Sequence, residues 1–334
     1  MKITFLAPHT RISGGIKTIF RLAAGLQDLG HEVSVVVNKI KDPVMSWYPF
    51  TKMNFALYDA RKIGGTIKKE LYHRCDCIIN FGDGPGIETS PAKKILFFQG
   101  FVTEDRKLER KNLRSKYDCI IVTSNWLYNI AKESGAKNIV IIPPGLDEMY
   151  GPEHVTSNRV PVIGGLYHTL STKNVDMFSE IVVRLFTEYE QKCHALLVSS
   201  SVVPPLEKLE YYNIPYSTIV NPPVQLLPFV YSSCSVWVST SKNEGFGLTN
   251  LEAMACKCPV VWMHNGGLQE FMKSGTNCII ISDVEGGAKG INNILSNEDL
   301  RKYIRKNGRD LALTFSWKKS IKDFDRVVRS IGKT

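Results

Sequence analysis

The sequence predicts an α/β protein of two Rossmann-like domains, each built on a parallel sheet. Three observations carry this. Both halves alternate short apolar runs of strand length with amphipathic stretches of helix length, the pattern of consecutive βα units. The chain has 334 residues, 43% of them hydrophobic, enough to bury two separate cores. Proline and glycine crowd at Pro143-Pro144-Gly145 and Gly151-Pro152, between the halves. The boundaries read as 1–152 for the first domain, 153–315 for the second and 316–334 for a final helix.

In the first half, Lys2–Ala7 reads as a strand. Gly15–Leu29 reads as a helix with Ile16, Ile19, Phe20, Ala23 and Leu26 on one side and Gly30 at its end. The loop between them holds Gly14 and Gly15. It is neither a Walker A loop, because Ile16 interrupts Gly-Lys-Thr, nor G-x-G-x-x-G. Glu32–Val37 is the next strand. Residues 38–62 scatter Trp47, Tyr48, Phe50, Phe55 and Tyr58 among turn formers and give no clear period. A helix is expected near Ile63–His73, with strands at Cys77–Phe81, Ile95–Phe98, Asp118–Thr123 and Ile139–Ile142. A helix at Asn125–Glu133 is capped by Thr123 or Ser124. Asp83, in the loop Gly82–Gly86, leaves the C-terminal end of its strand, where open α/β sheets bind ligands; it reads as a turn former or as an acceptor contact.

In the second half, strands are expected at Val160–Ile163, His194–Val198, Ile214–Val220, Ser235–Val238, Val260–Met263 and Cys278–Ile281. A glycine-bearing loop, Gly164–Asn174, precedes a helix with Val175, Phe178, Ile181, Val182 and Leu185 on one face. Further helices read near Leu206 and over Val224–Ser232, Glu298–Leu313 and Trp317–Ile331.

The stretch Ser239–Pro259 carries the chemistry. Gly245 and Gly247 let the backbone approach a ligand closely, and the helix that starts near Leu248 leaves its first amides without partners, an end that attracts phosphate. Glu244 and Glu252 bracket it. A phosphate repels a carboxylate, so these two suit hydroxyl groups, and phosphate flanked by polyol suggests a nucleotide sugar. The plainer reading is that Glu252 favours the helix dipole while Leu248, Leu251 and Ala255 form an apolar stripe.

The net charge is +10, and the first 150 residues hold 22 Lys and Arg against 15 Asp and Glu. The densest run, Arg106–Lys116, reads as a solvated helix face or as a patch for anionic lipid headgroups or an acidic glycan. No recognition-helix, zinc-finger or RNA-binding signature accompanies it, so nucleic acid is not an expected partner. No apolar run approaches the length of about 20 residues that spans a bilayer, and the N-terminus does not read as a signal peptide. A cytoplasmic protein is expected, peripheral on the inner face of the membrane if the basic run serves that purpose. The eight cysteines show no zinc spacing and are expected to be reduced and buried.

The string Glu244-Gly-Phe-Gly-Leu-Thr-Asn-Leu-Glu252, followed by Ala-Met-Ala and Pro259-Val260-Val261, resembles the E-x7-E signature of retaining glycosyltransferases of family four. The resemblance extends to Ile139–Asp147, to Lys173 and to Asn265-Gly266-Gly267-Leu268-Gln269-Glu270. It implies a GT-B fold, whose sheets face across a cleft that holds the donor, with the last helix returning to the first domain. It implies a nucleoside-diphosphate sugar as donor, UDP or dTDP being the expected nucleotides, and a glycan or lipid-linked acceptor in cell-surface polysaccharide or glycoconjugate synthesis. Gly14 and Gly15 would lie near the donor phosphates. Lys173 and the amides at Gly247, Leu248 and Thr249 would meet the leaving-group charge, and Glu252 the ribose hydroxyls. Glu244 with Gly245 and Phe246 would hold the donor sugar, with Gln99 on its other side; Glu244, Gln99 and Lys173 are the catalytic candidates. Metal independence is expected, on the reading that no D-x-D metal pair is present.

Two positions depart from the family. Gln99 stands where many members carry histidine, although members that build rhamnose-containing polymers look similar there. The family's phosphate-binding arginine falls on Gly165, which leaves Arg11, Lys17 or His168 to supply the missing cation. These departures keep a second class of function open: a donor-binding, catalytically weak subunit that regulates an active glycosyltransferase.

Overall fold

The computed structural model describes residues 1–11, 13–40, 54–81, 89–100, 117–153 and 160–332. Asp83, the basic run Arg106–Lys116 and the aromatic residues Trp47, Tyr48 and Phe50 lie outside them. The chain forms two compact units, Met1–Gly145 with Ser316–Thr334, and Leu146–Phe315.

The first unit is a parallel sheet of β1 (Lys2–Ala7), β2 (Glu32–Val37), β3 (Ala56–Asp59), β4 (Cys77–Asn80), β5 (Lys93–Phe98), β6 (Cys119–Val122) and β7 (Ile139–Ile141), in the order β3-β2-β1-β4-β5-β6-β7. Phe5 of β1 stands opposite Val35 on one side and Ile79 on the other. Helices cover both faces of such a sheet, so its inner strands are apolar almost without alternation, and every residue of β4 and of β6 is buried. The edge strand β3 lies within the stretch that showed no period. It is short and only its last residue is buried, so it writes neither an apolar run nor an alternation.

Helices α1 (Gly14–Asp28), α2 (Gly65–His73) and α3 (Asn125–Glu133) connect these strands. Ser13 caps α1 by accepting from the Ile16 amide, and Ser124 rather than Thr123 caps α3 by accepting from Leu127. The final helix, Trp317–Gly332, packs in the same core: the Phe324 ring stacks on Phe5 at 6.3 Å and meets Phe97 edge-on at 5.5 Å. It contains a D-x-D string, Asp323-Phe324-Asp325, against the expectation of none. Phe324 is fully buried, while Asp323 pairs with Lys319 and Arg326, and Asp325 with His31 and Arg329. The two acids therefore anchor helix surface, and among the described residues no group of three or more acidic, His or Cys side chains is placed to hold a metal ion.

The second unit contains β8 (Val162–Tyr167), α4 (Val175–Glu188), β9 (His194–Ser199), α5 (Glu207–Tyr211), β10 (Tyr216–Val220), α6 (Leu227–Ser233), β11 (Val236–Ser239), α7 (Leu248–Ala255), β12 (Val260–Met263), β13 (Ile279–Ile281), α8 (Val284–Ser296) and α9 (Glu298–Ala312); the final helix, Trp317–Gly332, is α10. Its parallel sheet has the order β10-β9-β8-β11-β12-β13. Strand β8 continues through Gly164 and Gly165, which the sequence places in a loop. The glycines serve packing: a Cβ on Gly164 would lie 2.4 Å from the Cys234 sulfur, and one on Gly165 would lie 2.5 Å from the Phe178 ring.

Helix α8 was not expected, because Gly286, Gly287 and Gly290 lower its propensity. Tertiary packing explains Gly287 and Gly290, the latter against Ile279. A Cβ on Gly287 would sit 2.6 Å from Ile181 of α4, so glycine lets the two helices close on each other, and Asp283 caps the start by accepting from the Gly286 amide. Gly287→Val is accordingly expected to destabilise the protein by about 1–3 kcal/mol through overpacking, against a propensity gain of a few tenths, roughly, and the denaturation midpoint measures it.

All eight cysteines are free and buried, and burial pushes the Cys234 thiol up to about 12 and Cys193 to about 11. Among the described residues, no helix is long and apolar enough to cross a membrane.

Candidate functional site

Strand β11 is wholly buried and delivers the chain into the loop Thr240–Gly247, which enters α7. Gly247 occupies the N-cap with φ of 99°, a left-handed conformation that glycine adopts without strain, and no side chain caps the helix. In this α7 is like α2, α4, α5 and α6 and unlike α1, α3, α8 and α9, whose first turns are closed by Ser13, Ser124, Asp283 and Asn297. The first amides of α7, at Leu248 and Thr249, belong to partly accessible residues. At the far end, the Arg309 guanidinium donates to the Ala255 carbonyl and Arg305 to that of Lys257, at 2.8 Å. Cations thus satisfy the negative end of the helix, while no side chain caps its positive end.

The loop is held from two sides. The Glu244 amide donates to the Asn265 carbonyl at 3.2 Å, and the Gly267 amide donates to the Glu244 carbonyl at 2.9 Å. Asn265 is buried and braces the same turn, its side chain donating to the Ser241 carbonyl at 2.7 Å and accepting from the Trp262 indole at 3.1 Å. On the other side, the Lys242 amide donates to the Thr172 carbonyl at 2.7 Å and the Thr240 hydroxyl to the Lys173 carbonyl at 3.2 Å. Lys173, in a tight turn at Ser171–Lys173, is thereby placed against the loop, and its ammonium pairs with the Glu244 carboxylate. Both side chains keep about a fifth of their surface exposed, at 20% and 19%.

His168 adjoins the pair. Its Nδ1 accepts from the Leu170 amide at 3.0 Å, which leaves the proton of the neutral ring on Nε2. Burial and then the Lys173 charge hold this imidazole below its ordinary value, with Glu244 acting in the opposite sense. Of the three side chains left open by the sequence, His168 belongs to the same unit as Lys173 and Glu244.

Glu252 lies in the second turn of α7 and is 5% exposed. Its Oε2 accepts from the Tyr231 hydroxyl at 2.9 Å, and Tyr150 also hydrogen-bonds to it. Phe246 is buried against Phe315, edge-on at 5.4 Å, so its ring is core and its backbone forms the loop.

The remaining candidates sit in the first unit. Gln99, at the end of β5, directs Nε2 to the Gly15 carbonyl at 3.4 Å across 84 positions of sequence. A Cβ on Gly15 would lie 2.8 Å from the Phe81 ring and 3.4 Å from the Gln99 amide oxygen, so glycine permits this close approach. Gly14 starts α1, and its carbonyl accepts from the Thr18 hydroxyl at 2.8 Å. Sequence reasoning missed Tyr150, Tyr231 and Phe81 as neighbours of these residues. No local pattern marks them; each is brought to its partner by packing across the fold.

Residues 169–311 match the family model described as glycosyl transferases group 1. Over 100 residues the chain is 33% identical to an uncharacterised glycosyltransferase of Methanocaldococcus jannaschii, a stretch that covers 29% of this chain and 28% of that protein. Over 112 residues it is 31% identical to a D-inositol 3-phosphate glycosyltransferase of Corynebacterium urealyticum, covering 33% of this chain and 26% of that one. The chain spans less than a third of the length of these two relatives. Among solved structures it is similar to HepE of Anabaena in complex with UDP-glucose, with a TM-score of 0.81 and 15% identity over 99% of this chain and 100% of that one. At that identity the likeness shows the fold. The strand orders and these matches together show a chain of GT-B fold whose residues 169–311 match the model of the glycosyl transferases group 1 family.

Proposed function

We propose that the protein is a retaining glycosyltransferase that moves a hexosyl or deoxyhexosyl group from a nucleoside-diphosphate sugar to a glycan or lipid-linked acceptor, without a metal ion. The observation that carries this is the E-x7-E string itself, folded as an uncapped helix start whose entry loop is held against Lys173. In this reading the amides of Leu248 and Thr249 and the Lys173 ammonium stabilise the diphosphate as charge develops on the leaving oxygen. Lys173 supplies the charge that a divalent cation supplies elsewhere, and His168 adds an Nε2 donor where Gly165 lacks a side chain. Glu244 and the Gly245–Gly247 backbone hold the donor sugar, and Glu252 holds the ribose. The leaving phosphate oxygen takes the proton of the acceptor hydroxyl as the new glycosidic bond forms on the same face. Gln99 contributes a neutral amide, which can hydrogen-bond a sugar hydroxyl and carries no charge.

The test is a turnover screen of UDP-, dTDP- and GDP-sugars, with glycan and lipid-linked acceptors, in the presence of EDTA. One donor is expected to bind, to be hydrolysed slowly without acceptor and to be transferred with its anomeric configuration kept. Loss of turnover in EDTA would overturn metal independence, and an inverted product would overturn retention. Donor binding with no turnover on any acceptor would favour the regulatory-subunit reading.

A further inference from the structure

We propose that Asn250 is a positioning residue for the loop that enters α7: its carboxamide takes the Phe246 carbonyl as a partner when a nucleoside diphosphate binds, and the same peptide then turns its Gly247 N–H toward the diphosphate. This rests on the donor-site reading above and adds a residue that need not touch the ligand.

Asn250 is the third residue of α7 and is 0% exposed, and neither its Oδ1 nor its Nδ2 has a hydrogen-bond partner among the described residues. The helix is otherwise apolar at its buried positions nearby: Leu251, Ala253, Met254 and Ala255 are all buried. A buried carboxamide without partners carries the full cost of its desolvation, which an apolar side chain in the same place avoids. A second state of the loop, in which the group is satisfied, accounts for it.

The surroundings name the partner. The Asn250 amide donates to the Gly247 carbonyl at 3.1 Å, whereas Leu251, the α-helical donor, stands at 3.5 Å, so the first turn is wound tightly and draws its third residue up to the cap. A helical side chain leans toward the N-terminus of its helix, and the carboxamide accordingly lies against Gly247: a Cβ there would be 3.3 Å from Asn250 Nδ2. The Phe246 carbonyl lies instead against Gly267, where a Cβ would meet its oxygen at 2.3 Å. Turning the Phe246–Gly247 peptide changes ψ of Phe246 and φ of Gly247. Gly247 sits at φ of 99° and has no Cβ to oppose rotation to either sign, so this peptide is free to turn. In a trans peptide the C=O and N–H point opposite ways, so a carbonyl bonded to Asn250 directs the Gly247 N–H away from the core, beside the uncapped amides of Leu248 and Thr249. A diphosphate at the helix start supplies the attraction that turns it.

The experiment measures nucleotide affinity by isothermal titration and the melting temperature of the free protein, for the full chain and its Asn250→Leu and Asn250→Ala variants, with whichever of UDP, GDP and dTDP binds the wild type. Asn250→Leu is expected to weaken binding about tenfold while the free protein melts no lower than wild type, because the substitution removes a group that only the bound state satisfies. Affinity kept within about twofold in both variants overturns the proposal and leaves the donor site standing. Should Asn250→Leu be too large to fold, Asn250→Ala is read in its place. If a variant loses affinity and stability together, the side-chain amide NMR signals of Asn250 in the wild-type protein decide. A downfield shift at saturating nucleotide, that of a new hydrogen bond, supports the proposal, and unmoved signals show a structural role and overturn it. Binding of no nucleotide at all overturns the donor-site reading and this inference with it.

Discussion

Lys173→Ala is expected to lower donor turnover by about 10²–10³-fold while leaving the fold intact. On the proposed function, the lost rate is that of one preorganised charge facing a leaving diphosphate in a partly desolvated site. The intact fold follows from how Lys173 is held. Its position depends on backbone groups, the Lys173 carbonyl bonded to the Thr240 hydroxyl and the Thr172 carbonyl to the Lys242 amide, which the substitution keeps. The ion pair with Glu244 is part-exposed at both partners and adds about 0–1 kcal/mol to stability. Steady-state kinetics with the cognate donor and a thermal melt are the two measurements. Unchanged turnover would place the diphosphate elsewhere, and a collapse in melting temperature would make Lys173 a structural residue. Lys173→Arg should recover part of the rate, because it restores charge with a different donor geometry.

Gly267→Ala is expected to cost roughly 10²-fold in turnover and about 1–3 kcal/mol in stability, although the residue offers no functional group. A Cβ there would lie 2.3 Å from the Phe246 carbonyl oxygen and 2.6 Å from the Phe246 Cα. Both are backbone atoms, so relief cannot come from a rotamer change. The loop must move, and it carries Glu244, Gly245 and Gly247. The same turn already fixes Glu244 through the hydrogen bonds from Glu244 to Asn265 and from Gly267 to Glu244. Donor affinity measured beside a denaturation curve separates the effects. A variant that loses stability but keeps full affinity would show that the loop tolerates displacement.

The sequence wrote much of the fold because parallel sheets covered on both faces demand near-continuous apolar strands, and β1, β4, β6 and β11 read directly as such. Where that demand relaxes, the text fades. The edge strand β3 has one buried residue in four, and α8 carries three glycines, of which Gly287 and Gly290 admit the approach of Ile181 and Ile279. The second half of strand β8 was missed for the same cause, since Gly164 and Gly165 look like loop until Trp237, Cys234 and Phe178 are set beside them.

For the candidate site the division is similar. The sequence by itself determined the E-x7-E string, the helix start at Leu248 and the position of Lys173, because a strand, a glycine loop and a helix end are local and each needs particular residue types. The tertiary structure decided which groups face one another. It set Lys173 on Glu244, gave Glu252 to Tyr231 and Tyr150, turned Gln99 toward Gly15 and left no room for a side chain at Gly165. Local preferences act over a few residues, whereas these contacts join positions 71, 21 and 84 apart for Lys173–Glu244, Tyr231–Glu252 and Gln99–Gly15, and only the packing of sheet and helix closes such distances.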